Sequence, residues 1–181
     1  MKRLVFGCGY LGERVARRWL ARGDDVVIVT RNAERAKQFL ITGCGAIVAD
    51  VTQQASLRNL PVADSVLFAV GYDRRAGQSI DEVYAGGMRN VLAALPVATG
   101  RFIYISTTGV YGDHGGAWVD ETTPLDPTLA RTDRRARAER AWLASGLPVH
   151  IFRLAGIYGP GRNAFVNLKD GTARRIVKPG Q

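Results

Sequence analysis

Apolar positions fall along the chain in two alternating patterns. Short, mostly apolar runs occur at residues 4–6, 26–29, 46–49, 65–70, 102–105 and 149–154, with Ser65 opening the fourth and His150 and Arg153 interrupting the sixth. They are too short for buried helices and are bounded by turn residues, so they predict six strands of a parallel sheet, residues 26–29 being of the kind buried on both faces. The third ends at Asp50. Between them the period changes to that of a helix. From about Glu13, Val15, Ala16, Trp19 and Leu20 share one face while arginines share the other, and Gly23 sits at the expected C-cap. Residues 33–40 form a second helical segment. Ser79-Ile80-Asp81-Glu82 is a capping box. The helix it opens carries Ile80, Val83, Tyr84, Met88, Val91, Leu92 and Leu95 on one face, and Pro96 stops it. A polar helix spans about residues 132–145 and closes at Gly146. This alternation predicts an α/β fold: a Rossmann-type doubly wound parallel sheet, three layers deep (α/β/α), as one domain over residues 1–181.

Composition narrows the class. At 46% apolar and 23% charged residues the chain reads as globular rather than disordered. No apolar run approaches the ~18 residues of a membrane span. Met1-Lys2-Arg3 ahead of an apolar run resembles an export signal, but Gly7, Gly9, Glu13 and Arg14 interrupt it, so a strand is expected there. Cys8 and Cys44 have no C-x-x-C spacing and the two histidines, His114 and His150, find no partners. A disulfide framework and a metal centre are therefore not expected, and the cytoplasm is the expected compartment. The net charge of +9 raises nucleic acid as a partner, but the arginines are spread over solvated helix faces without a nucleic-acid motif, which argues against it.

Gly7-Cys8-Gly9-Tyr10-Leu11-Gly12 is a G-x-G-x-x-G that leaves the first strand and opens the first helix. In that context the first glycine permits the tight turn, the second admits a pyrophosphate, and the third allows close helix–strand packing. Free N–H groups at the helix start favour an anion. At the end of the second strand an acid would bind the ribose 2′-hydroxyl of NAD(H). Thr30-Arg31-Asn32 stands there instead, and a guanidinium pairs bidentately with phosphate. Arg31, with Arg35 one turn on, thus favours NADP(H) over NAD(H), which stays open. Asp50 and Val51 are placed to reach the adenine end, and Ala69, Val70 and Gly71 to flank the pyrophosphate and ribose.

The segments Ile105-Ser106-Thr107-Thr108-Gly109-Val110-Tyr111-Gly112, Asp120-Glu121 with Pro124 and Pro127, and Arg153-Leu154-Ala155-Gly156-Ile157-Tyr158-Gly159-Pro160-Gly161-Arg162-Asn163 add a second kind of information. With the glycine loop, they resemble the extended and atypical short-chain dehydrogenase/reductases, the NAD-dependent epimerase/dehydratase group. The resemblance implies a strand-five hydroxyl, matched by Thr107, plus a tyrosine and a lysine four residues apart on the next helix. Those two positions carry Arg131 and Arg135. Arg135 remains suited to ribose hydroxyls, but Arg131 cannot act as a general acid. Tyr111 and Tyr158 are the candidate replacement phenols, each with a packed tyrosine as the plainer alternative, and Asp113 and His114 lie just beyond Tyr111.

The resemblance also implies a smaller C-terminal substrate-binding region, whereas this sequence stops at Ile176-Val177-Lys178-Pro179-Gly180-Gln181; a truncated chain with exposed apolar surface is expected. In relatives the helices near Ser79 and Thr132 pair in a dimer bundle, which implies a homodimer, although Arg134, Arg137 and Arg140 are polar for such an interface. The expected function is an NADP(H)-binding oxidoreductase or epimerase-like enzyme acting on a carbonyl or alcohol of a small molecule, with a sugar nucleotide as one candidate. The alternative is a non-catalytic NAD(P)-binding sensor.

Overall fold

The structure, a computed structural model, describes residues 1–126 and 130–173, with the side chains of residues 130–132 outside the description. Arg131, Pro127 and the final residues 176–181 singled out above therefore lie outside the described residues or side chains.

Six strands, β1 (Lys2–Phe6), β2 (Asp25–Thr30), β3 (Gly45–Val48), β4 (Ser65–Phe68), β5 (Arg101–Thr107) and β6 (Val149–Leu154), form one sheet in the order β3-β2-β1-β4-β5-β6. Every neighbouring pair is parallel. This is the doubly wound Rossmann order. Strict alternation along β1 sends Leu4 and Phe6 to one face and Val5 to the other, all fully buried.

Two layers cover these faces. On the Val5 side, α1 (Tyr10–Leu20) and α2 (Ala33–Ile41) bring Ala16 and Phe39 against Val26, Ile28 and Leu67. On the Phe6 side, α3 (Gly87–Ala94) and α4 (Ala130–Leu143) bring Met88, Val91 and Trp142 against Phe68, Phe102 and Tyr104. Trp142 is fully buried and stacks on Phe102, with ring centroids 3.7 Å apart. Trp142 contributes to holding a helix as polar as α4 in place, since burying one large aromatic stabilises by about 2–3 kcal/mol, and Ala136, Ala138 and Glu139 are buried on the same helix.

Element boundaries shift where periodicity had no side chain to follow. α1 begins at Tyr10 rather than Glu13, because Gly9 is its N-cap and Gly12, inside the first turn, shows no face. β4 ends at Phe68 rather than residue 70, although the Ala69 N–H still donates to the Phe6 carbonyl at 2.8 Å. α4 starts and ends two residues earlier than predicted.

The capping box forms in both directions: Ser79 N–H donates to Glu82 Oε2 at 2.6 Å, and Glu82 N–H donates to Ser79 Oγ at 3.1 Å. The helix it opens then runs through a π-turn at Glu82–Gly86 before α3. Gly87 sits where a Cβ would lie 2.8 Å from Val51, which lets α3 approach the end of β3. A short α5 (Ala164–Lys169) follows β6 and buries none of its residues. Phe152 on β6 and Phe165 and Leu168 on α5 expose 49%, 82% and 65% of their surfaces. No helix of the described residues is long and apolar enough to cross a membrane.

Candidate functional site

β1 connects to β2 on one side and, later, the chain enters β4 on the other, so the ends of β1 and β4 open a crevice. Ligands of such sheets bind at that switch point. A cavity of about 820 Å³ occupies it, lined from the ends of β1, β2, β3, β4, β5 and β6.

The glycine loop forms its floor. Gly7 has φ +83°, and a Cβ there would lie 2.5 Å from the Val70 backbone nitrogen. A Cβ on Gly12 would lie 2.3 Å from the Gly7 carbonyl oxygen. Both contacts fix α1 against the strands. Gly9 differs, because a Cβ there meets nothing within 4 Å. Its open side is the cavity, where the first N–H groups of α1, which have no partner within the helix, are presented. Tyr10 and Leu11 line the same floor. This shape fits a pyrophosphate.

Four arginines line the cavity, Arg31, Arg35, Arg135 and Arg162, against the carboxylates of Asp50 and Asp73. Arg35 Nη2 donates to the Cys8 carbonyl at 2.9 Å and pairs with Glu13 at 3.2 Å, tying α2 to the glycine loop. Arg17, hydrogen bonded to Glu13, is the main cause holding that carboxyl below its ordinary range, and Arg35 adds to it. Arg31 reaches across to the loop after β4: Nη2 pairs with Asp73 Oδ2 at 2.7 Å and Nη1 donates to Gln78 Oε1 at 3.2 Å. Gln78 Nε2 donates in turn to Asp50 Oδ2 at 3.1 Å and Thr52 Oγ1 at 2.9 Å. Burial works to raise the Asp50 carboxyl, but hydrogen bonds from Thr52 and Gln78 outweigh it and hold it below the usual carboxylate range.

Val51, Ala69, Val70 and Gly71 line the cavity, as does Thr107 at the end of β5. Thr107 Oγ1 accepts the Gly109 N–H at 3.2 Å and caps the 3₁₀ turn Thr108–Tyr111. Arg135 lies over the Tyr84 ring at 3.7 Å, with Nη1 3.4 Å from the Tyr104 hydroxyl.

Tyr111 does not reach this cavity. The 3₁₀ turn carries it under α4, where it is buried and its hydroxyl accepts from Arg153 Nη1 at 2.9 Å. It lines a separate hollow of about 460 Å³ with Thr108, Asp120 and Glu121. Tyr158 is 83% exposed, and Asp113 and His114 are exposed on the loop beyond. Among the described residues the tyrosines that line the large cavity are Tyr10 and Tyr72.

Sequence reasoning missed three groups. One is the Asp73–Gln78 loop. The second is a buried cluster: Ser106 Oγ donates to Glu139 Oε1 at 2.5 Å, and Arg153 holds Glu139 Oε2 through Nε and Nη2. Burial disfavours the Arg153 charge, but the bonds to Glu139 and Tyr111 outweigh it and hold its pKa above the ordinary arginine value. The third is the contact of the turn after β6 with the glycine loop, a segment that carried the family resemblance but was given no role at the site. Tyr10 Oη donates to the Pro160 carbonyl at 3.1 Å, and a Cβ on Gly159 would lie 2.5 Å from that hydroxyl. The glycines of this turn were the available signal. No group of three or more metal-ligating side chains is placed to hold an ion among the described residues.

Comparison with known proteins agrees with this geometry. Residues 4–176 match the model of the NAD dependent epimerase/dehydratase family. Protein YeeZ of Escherichia coli is 31% identical over 88% of this chain and 60% of its own length. A conserved protein of unknown function from Silicibacter pomeroyi is 36% identical, with a TM-score of 0.72 over 99% of this chain and 61% of its own. The Bordetella bronchiseptica enzyme WbmH, solved in complex with NAD+, is 25% identical with a TM-score of 0.78 over 94% of this chain and 62% of its own. The chain thus spans about 60% of the length of YeeZ and of these two solved proteins.

Proposed function

The chain belongs to the NAD dependent epimerase/dehydratase family, and from that premise we propose that it binds NADP(H) in preference to NAD(H) and serves oxidoreductase or epimerase-like chemistry on a carbonyl or alcohol. The observation that carries the cofactor preference is the end of β2. Arg31 lines the cavity where an acid would select the ribose 2′-hydroxyl, and Arg35 stands one helical turn on. A guanidinium matches a 2′-phosphate in charge and geometry.

When bound, a nicotinamide dinucleotide supplies hydride exchange. The chain's own residues bind and orient. The glycine loop and the start of α1 take the pyrophosphate, Asp50 and Val51 border the adenine end, and Arg135 is suited to ribose hydroxyls. The hydroxyl of Thr107 polarises the reacting carbonyl or alcohol. A second reading is favoured by one observation: the family's tyrosine and lysine positions carry Arg131 and Arg135, and Tyr111 lies outside the cavity. On that reading the chain binds the cofactor as a sensor without turning over substrate.

Titration of the purified chain with NADPH and NADH, followed by nicotinamide fluorescence, tests the proposal. The expected result is tighter NADPH binding that reverses toward NADH in Arg31→Asp. Equal affinities, unaffected by Arg31→Asp, reject the preference. Turnover in a screen of carbonyl substrates separates the enzyme from the sensor.

A further inference from the structure

We infer that Asp73 is a cofactor-specificity residue, an internal competitor whose carboxylate occupies Arg31 in place of the cofactor's 2′-phosphate. The inference rests on the NADP(H) reading above. It adds that the preference is set by the pair Arg31–Asp73, not by Arg31 alone.

The geometry supports a placeholder. The guanidinium of Arg31 spends both arms on one loop, Nη2 on Asp73 at 2.7 Å and Nη1 on Gln78 at 3.2 Å. These are the two arms that a phosphate would accept bidentately. Asp73 is aimed by its own turn, because its Oδ1 accepts the Arg75 N–H at 3.0 Å and leaves Oδ2 facing Arg31. Gln78 is anchored to Asp50 and Thr52 and so keeps this loop against the ends of β2 and β3. Arg31 and Asp73 remain 43% and 50% exposed, and ion pairs that open to water exchange partners readily.

The two cofactors meet this pair differently. A 2′-phosphate brings up to two charges and three acceptor oxygens, enough to displace a single carboxylate from the fork. It must still give up that interaction energy and then sit beside the displaced negative charge. A 2′-hydroxyl carries no charge and gains little by displacing Asp73. Asp73 therefore lowers affinity for the phosphorylated cofactor and leaves the other nearly unchanged.

The test is a cycle of four proteins: the parent chain, Asp73→Asn, Arg31→Ala and the double variant, each titrated with NADPH and NADH at low salt. Asparagine keeps the Oδ1 acceptor for Arg75, so the loop turn survives while the charge goes. Asp73→Asn is expected to tighten NADPH binding about fivefold, the size of an exposed ion pair, with NADH changed less than about twofold. The gain must vanish in the Arg31→Ala background. No gain, or an equal gain with and without Arg31, overturns the inference while leaving the NADP(H) reading intact if Arg31→Ala alone weakens NADPH. If Arg31→Ala has no effect on NADPH, that reading fails and takes the inference with it.

Discussion

Arg153 grips one oxygen of Glu139 with two nitrogens, Nε at 3.1 Å and Nη2 at 2.9 Å, while Ser106 donates to the other oxygen. Glu139 is 1% exposed. The contact joins α4 to β6 and reaches β5 one residue before Thr107, so a single carboxylate fastens three elements at the edge of the cavity.

Removing Glu139 leaves the largely buried Arg153 charge with only the Tyr111 hydroxyl and the Glu121 carbonyl, which costs about 3 kcal/mol, the lower end for a broken buried pair. Glu139→Ala is therefore expected to lower the unfolding free energy measured by urea denaturation by that amount, and Glu139→Gln by less because it still accepts from Arg153. Equal stability of all three proteins would show that water reaches Arg153 and that the fastening is weak.

The glycines of the first loop divide into two kinds. Gly12→Ala forces a methyl to within 2.3 Å of the Gly7 carbonyl, so α1 must move and about 1–3 kcal/mol of stability is expected to be lost. Gly9→Ala meets nothing within 4 Å and has an extended backbone that alanine adopts. It should melt like the parent chain yet lose cofactor affinity, because its methyl enters the space kept for the pyrophosphate. Thermal melts and NADPH titrations of both variants check the contrast, and a Gly9→Ala protein that binds normally would move the pyrophosphate elsewhere.

The strands and the glycine loop were legible because they depend on local pattern. Apolar runs at β1 and β2, and the spacing of Gly7, Gly9 and Gly12, carry their meaning within a few residues. Asp73 and Gln78 were not legible. They sit in a loop without periodicity, and only the crossover from β3 to β4 brings residue 73 beside residue 31. Tyr111 misled for the opposite reason. It is close to Thr107 in sequence, but a 3₁₀ turn between them sends the two side chains to different hollows. The polar helix of residues 132–145 gave no sign that Glu139 is buried, and Trp142, which docks that helix, explains why it is.

Thr107 holds two jobs that substitutions separate. Its Oγ1 accepts the Gly109 N–H, and the proposed chemistry uses the same hydroxyl at the cavity. Thr107→Val removes both and is expected to abolish turnover, with a stability loss of about 1 kcal/mol for the cap and NADPH affinity kept within about twofold. Thr107→Ser should restore turnover. Unchanged turnover in Thr107→Val would remove the residue from the chemistry.

Cys8, inside the glycine loop, predicts a loss of stability in alkali. Burial is the main cause that pushes its thiol from 9.0 up to about 12, with the nearby Glu13 charge adding to it and Arg35 opposing. Below pH 9.0 the thiol is protonated in both folded and unfolded chains and contributes no pH dependence. Between 9.0 and about 12 the unfolded chain has released the proton while the folded chain still holds it. The unfolded state then binds fewer protons, so stability falls as pH rises through this window. Cys8→Ala removes the titration. Its urea midpoint should be slightly lower than the parent's at pH 8, from lost packing, but should decline less between pH 9 and pH 11. Tyr104, whose hydroxyl is also raised by burial, titrates in both proteins and cancels in the comparison. Because the thiolate is the reactive form, the same environment predicts slow alkylation of native Cys8 at pH 8. Parallel pH profiles for the two proteins would show that Cys8 ionises freely in the fold and that the loop opens to water.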